Sequence, residues 1–350
     1  MSTPPAILES SKSARPKRLN NIDALRGICA LLVVIQHAIP LEWEGVGFLK
    51  IDPKMAIDFG RIGVVAFFLI SGYVIPFSIT RGEQPVKKFL IARFFRLWPA
   101  YWVAILLAMV TGASLVPLTF KNVALNATMF QRFVGVKDMV GPFWTLQIEL
   151  IFYVLVTVMI ATKTVWDLKY YQRAFYSLIA VSLLAGVLSH WYHVRFPMSL
   201  LMGLTAMFFA GYLRHSRLAG RAFPWQMAVS YVVSLIPICL LGLNASLKDD
   251  DDPFRSIVAY LIGFGAFLIF EKIKDVPRVF VYMGAISYSI YLAHTSMIHV
   301  VSWYSQETLV KLFGGLALTI LVASVAYRVV EKPCQALGKR VIRGLAPKTV

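Results

Sequence analysis

The sequence predicts an all-α integral membrane protein with about ten transmembrane helices and both termini in the cytoplasm. Three observations lead there. Of the 350 residues 58% are hydrophobic and only 15% are charged, against about 25% charged in soluble globular chains. The apolar residues fall in long runs, and a run of about 20 residues is what crossing the hydrocarbon requires. The basic residues concentrate in alternate segments between the runs, as in membrane proteins that keep their positive loops inside.

The first run, near 22–40, follows a polar segment, 1–20, that carries Lys12, Arg15, Lys17 and Arg18. That segment is expected to be a disordered cytoplasmic tail. The run contains Arg26 and His37 and ends without a small-residue cleavage site, so it is a retained helix and not a signal peptide. Further spans, bounded by charge, Pro and Gly, fall near 61–79, 97–116, 143–162, 174–191, 198–213, 225–243, 254–270, 279–299 and 310–330. The connections are too short for a soluble domain. The expectation is one membrane domain, 21–332, followed by a basic cytoplasmic tail, 333–350.

With the N-terminus inside, the inner segments hold 24 of the 35 Lys and Arg residues and the outer ones 10. That bias sets the orientation, and an even number of spans returns the C-terminus to the same side. The net charge of +17 is distributed loop by loop, so it is topogenic and does not point to nucleic acid. The acidic run Asp249 to Asp252 is expected to be a solvated loop. Three scattered cysteines with no CxxC pair exclude a disulfide framework and a thiolate metal site. His190 and His193 lack a third ligand nearby, so no metal is expected. No Walker motif, dinucleotide glycine pattern or nucleophile elbow occurs.

Ionisable side chains inside a bilayer are costly and mark function by default. The first span carries Asp23, Arg26 and His37. Eleven residues are three helical turns plus about 20°, so Arg26 and His37 share a face, roughly 16 Å apart along the axis. Counted from the span ends, His37, Glu149 of the fourth span and His294 of the ninth arrive at similar depth, roughly 22 Å from the inner side. Ser287, Tyr291 and His294 form a polar stripe at i, i+4, i+7. A histidine with a carboxylate neighbour is suited to general-base work, because the carboxylate fixes its tautomer and stabilises the imidazolium. At the inner boundary Arg93 and Arg96, one turn apart, lie at similar depth to Arg26, and guanidinium groups there suit phosphates. Asp23, Ser71, Tyr73, Trp144, Tyr291 and His294 are candidate substrate-binding or pore-lining residues. Gly72 suits a close approach of helices or of a substrate.

These same stretches resemble the acyltransferase-3 family of membrane O-acyltransferases. The likeness is carried by Asp23-Ala-Leu-Arg26-Gly with His37, Phe67-Phe-Leu-Ile-Ser-Gly-Tyr73 and Arg93-Phe-Phe-Arg96-Leu-Trp-Pro-Ala-Tyr101. It continues in Phe143-Trp-Thr-Leu-Gln-Ile-Glu149-Leu-Ile-Phe-Tyr153, Ile286-Ser-Tyr-Ser-Ile-Tyr-Leu-Ala-His294 and Glu331-Lys-Pro333. The resemblance implies ten helices that move an acyl group, commonly acetyl, from cytoplasmic acyl-CoA to a hydroxyl of a surface carbohydrate. It implies that His37 is catalytic and that Arg93 and Arg96 hold the CoA. The chain resembles the stand-alone type, similar to bacterial exopolysaccharide O-acetyltransferases.

The expected activity is therefore acetyl-CoA-dependent O-acylation of a cell-surface or exported polysaccharide or glycolipid, in a bacterial inner membrane. His37 and Glu149 are the catalytic pair, and Arg26, Arg93 and Arg96 bind the donor. The main rival is a transporter or flippase for lipid-linked sugars, which would need no cytoplasmic phosphate clamp. A glycan polymerase would carry larger outer loops with paired arginines.

Overall fold

A computed structural model of the chain describes residues 19–39, 57–79, 82–243 and 252–345. The described residues are helical or irregular, with no strand. The helices are α1 (Asn20–Ala38), α2 (Phe59–Val74), α3 (Pro85–Val110), the short α4 (Phe120–Ala127), α5 (Trp144–Ala161) and α6 (Leu168–Tyr192). They continue with α7 (Met198–Leu218), α8 (Trp225–Gly242), α9 (Pro253–Lys272), α10 (Arg278–Ser302), α11 (Thr308–Ala326) and α12 (Lys332–Gly344). A long helix occupies each of the ten expected apolar stretches. Residues 1–18, most of the expected tail, lie outside the described residues, as does Asp249 to Asp251.

Eight helices among the described residues are long and apolar enough to cross a membrane. Two of the expected spans, α7 and α10, have the length but are too polar to qualify, with His, Ser, Thr, Tyr and Gly spread along them. Two thirds of α7 and about half of α10 are buried inside the bundle. Protein neighbours in place of lipid make polar groups in such helices tolerable.

Local chemistry explains several boundaries. Asp58, Thr119, Asp167 and Asp252 each accept a backbone N–H at the start of α2, α4, α6 and α9, the role in which short polar side chains stabilise a helix start. Asp252, read as part of a solvated acidic loop, is thus a cap. Between α11 and α12 the chain makes a π-helical turn, Tyr327–Glu331. Turns of this kind occur mostly at functional sites. Residues 332–344, expected to belong to a tail, form α12 against α3, where Gly338 meets Phe95.

The centre is built by backbones in close approach. A Cβ on Gly284 of α10 would lie 1.8 Å from the Asp23 carbonyl oxygen of α1, and one on Gly72 of α2 would lie 2.0 Å from that of Met207 in α7. Without hydrophobic driving force in lipid, small residues at helix crossings supply the packing. Gly72 therefore serves helix contact.

Candidate functional site

Two cavities follow one another along α1 and α2. The first, of about 480 Å³, takes Asp23 and Arg26 from α1, Ser71 from α2, Arg93 and Arg96 from α3, and Glu149 and Tyr153 from α5. The second, of about 560 Å³, takes Gln36 and His37 from α1, Asp58 and Arg61 near the start of α2, and Trp144 and Gln147 from α5. Val64 and Tyr291 line both.

The arginine cavity is a partly neutralised cationic pocket. Arg26 lies 3.5 Å from Asp23 one turn earlier. Arg96 lies 3.6 Å from Glu331, whose carboxylate is buried. Glu331 also accepts from Ser289 at 3.0 Å and from Gln335 at 3.0 Å. The π-helical turn ends on this residue, which explains why the Glu331-Lys-Pro333 motif sits so far along the chain from the arginine it serves. Arg93 donates to Ser78 Oγ at 3.0 Å and stands over the rings of Phe89 and Tyr153 at 5.4 and 5.6 Å. Its Nε is buried without a hydrogen-bond partner. Such a pocket suits an anion with several oxygen acceptors.

In the second cavity the His37 ring is exposed. Its Nδ1 lies 2.9 Å from the Val33 carbonyl oxygen. A proton on Nδ1 donated to that carbonyl leaves the lone pair on Nε2, the arrangement a general base needs. Its ring meets the edge of His294 at 4.9 Å between centroids. His294 is fully buried, its Nδ1 is 2.7 Å from the Tyr291 carbonyl oxygen, and its Nε2 is buried without a partner.

The structure thus brings together His37 and His294 from α1 and α10, but it places Glu149 in the other cavity. On α5, Trp144, Gln147, Ile148 and Ile151 follow i, i+3, i+4, i+7 and face the histidine cavity. Thr145, Leu146, Glu149 and Tyr153 lie on the opposite face and line the arginine cavity. Glu149 accepts there from the Tyr153 hydroxyl at 2.7 Å. Equal depth along an axis does not bring side chains together when their azimuths differ. Among the described residues the Val33 carbonyl, and not a carboxylate, is the hydrogen-bond partner of His37.

The remaining candidates divide as follows. Asp23 and Ser71 line the arginine cavity, Trp144 lines the histidine cavity, and His294 lines neither, standing behind His37. Tyr73 also lines neither, since its hydroxyl points to Glu271 Oε1 at 3.4 Å. Tyr291 closes the junction, with its hydroxyl 2.6 Å from Thr145 Oγ1 and 2.9 Å from the Pro142 carbonyl oxygen.

Sequence reasoning missed three things. Arg214 of α7 and Lys339 of α12 both line the arginine cavity, although they looked like topogenic charge. Asp138, in the α4–α5 connection, accepts from Gln131 at 2.7 Å, Gln147 at 2.9 Å and Arg132 at 2.6 Å. This buried network fixes the loop beside the histidine cavity. Its signal in the sequence was Gln147, a polar residue inside a membrane span.

The family model described as "Acyltransferase domain" matches residues 19–328. A Staphylococcus aureus (strain COL) protein, named provisionally as an O-acetyltransferase, is 25% identical over 94% of this chain and 59% of its own length. Nodulation protein 10 of Rhizobium leguminosarum bv. viciae is 26% identical over 91% of this chain and 94% of its own. The peptidoglycan O-acetyltransferase of Listeria monocytogenes is 23% identical, over 92% of this chain and 56% of its own. The chain therefore spans somewhat over half the length of the staphylococcal and listerial relatives. No solved structure matches it.

Proposed function

The chain belongs to the acyltransferase-3 family, and from that premise we propose that it moves an acetyl group from cytoplasmic acetyl-CoA to a hydroxyl of a cell-surface or exported polysaccharide or glycolipid, working in a bacterial inner membrane with ten spans and both termini inside. One observation carries the reading. An arginine-lined cavity and a cavity containing an exposed histidine meet at Tyr291 and Val64, as a donor site and an acceptor site must if a group passes between them. The relatives named for O-acetyl transfer support the chemistry.

In this mechanism the donor's phosphates lie at Arg26, Arg93 and Arg96, and its thioester reaches the junction. The acceptor enters from the other side, past Trp144. His37 Nε2 takes the proton of the acceptor hydroxyl while the oxygen attacks the thioester carbonyl. A carbon–oxygen bond forms, the carbon–sulfur bond breaks, and the thiolate leaves with the CoA. The proton held on His37 then returns to solvent, and the thiolate takes one up from the water of the donor cavity. Glu149, on the donor side with Arg26, orders that end of the reaction. Mass spectrometry of surface glycans with and without the gene tests the proposal. Loss of an acetyl on one glycan is expected, and an unchanged acetylation pattern in cells that make the protein would overturn it.

A further inference from the structure

The donor reading leaves two cations of the arginine cavity without a task, Lys339 of α12 and the more deeply held Arg214. Arg214 lies near the end of α7, remote in sequence from every arginine of the motif stretches, and lines the same cavity. Its guanidinium stands over the Tyr73 ring at 4.7 Å and the Phe77 ring at 5.3 Å. Its Nη1 is buried and has no hydrogen-bond partner.

Its neighbours explain why it has no carboxylate partner. Glu271 is the nearby carboxylate, and both its oxygens are taken by Arg217, at 2.9 and 3.0 Å. The Tyr73 hydroxyl also points at Glu271 and interacts with the Arg214 guanidinium, which stands over its ring, so Tyr73 supplies Arg214 with a neutral partner and no counter-charge. Arg26 and Arg96 in the same cavity each face a carboxylate, Asp23 and Glu331. Among the described residues none lies within ion-pair distance of Arg214.

A charge that served topology alone would have water around its donors. Here two aromatic rings flank the guanidinium and a donor is withdrawn from solvent. Attraction to ring faces is weaker than a charge-assisted hydrogen bond and leaves in-plane donors unmet. An arginine pre-oriented in this way, lacking a counter-ion and facing a cavity, is built for a ligand that brings the counter-ion.

We propose that Arg214 binds a phosphomonoester group of the donor, separately from the arginines of α1 and α3. This rests on the donor reading above and adds to it. Arg93 and Arg96 lie one turn apart and suit two adjacent phosphates, such as a diphosphate bridge. The solitary Arg214, on a different helix, suits an isolated phosphate. Coenzyme A carries both, a diphosphate and a ribose 3′-phosphate, and dephospho-coenzyme A lacks only the latter.

The test is isothermal titration of full-length protein in lipid nanodiscs with coenzyme A and with dephospho-coenzyme A, for wild type, Arg214→Gln and Arg214→Lys. Wild type should prefer coenzyme A by about tenfold or more, the scale of one charged hydrogen-bonding partner. Arg214→Gln should abolish that preference and leave dephospho-coenzyme A affinity within about twofold, which also shows the variant to be folded. Arg214→Lys should keep part of the preference, because a point charge replaces the planar fork incompletely. Equal weakening toward both ligands, or an undiminished preference in Arg214→Gln, would overturn the assignment while leaving the donor reading intact. Failure of wild type to bind either ligand would remove the donor reading and this inference with it.

Discussion

Replacing His37 separates chemistry from structure more cleanly than any other change. The ring is exposed in the second cavity, and among the described residues its hydrogen bond runs to Val33 of its own helix. Folding should be nearly indifferent, within about 0.5 kcal/mol for a solvent-facing position. A general base contributes typically ~10²–10⁴ in rate, or about 2.7–5.5 kcal/mol at 1.36 kcal/mol per decade. The expected loss of activity is thus at least five times larger than any plausible loss of stability. His37→Asn is the sharper variant, since its amide can still donate to Val33 but carries no basic nitrogen. The assay is acetyl transfer by purified protein with saturating donor and acceptor, alongside thermal unfolding and CoA titration. Both His37→Ala and His37→Asn should lose turnover by at least a hundredfold and keep donor affinity within about twofold, because the arginine cavity lies beyond the junction. Turnover within a few-fold of wild type in either variant would refute the reasoning.

Other expectations follow from the same geometry. Arg93→Ala should weaken CoA binding by about 1.5–3 kcal/mol in calorimetry, with normal affinity marking the residue as topogenic. Arg96→Ala should also lower thermal stability, since it strands the buried carboxylate of Glu331, and losing one partner of a buried pair costs about 3–5 kcal/mol; the double variant Arg96→Ala/Glu331→Gln should recover part of that stability. Gly284→Ala should fail to assemble or unfold at markedly lower temperature, because its Cβ would sit 1.8 Å from the Asp23 carbonyl oxygen, and a variant as stable as wild type would show that α1 and α10 separate freely. Reporter fusions at Asn244 and after Val350 should report outside and inside respectively, and finding both on one side would exclude the ten-span topology.

The helices were largely legible in the sequence because apolar runs and their flanking charges act locally. The meeting of His37 and His294 was legible too, since depth is counted at about 1.5 Å per residue from a span end. Azimuth was not. Glu149 has the depth of His37 but faces away from it, and only the packing of α5 decides this. Tyr73 has a motif's prominence, yet Glu271 and Phe267 draw its side chain into the protein. Arg214 was hidden by its company, for at the inner end of a span one arginine reads like any other until the neighbouring carboxylate is seen to be occupied. The helix at 332–344 fell almost wholly in the segment read as a basic tail, 333–350, although its apolar residues share a stripe.

The narrow partition between the cavities has an electrical consequence. Were water to fill both cavities, most of the membrane voltage would fall across the thickness of Val64 and Tyr291 and not across the whole bilayer. A full elementary charge crossing the drop is worth about 2.3 kcal/mol per 100 mV. The bond-making atoms would lie where that field is steepest, so the partition must seal against protons and ions while a neutral acyl group passes. The Tyr291 hydroxyl, tied to Thr145 and the Pro142 carbonyl, is thus an insulator as much as a boundary, and loosening it should cost the cell its voltage before it costs the enzyme its substrate.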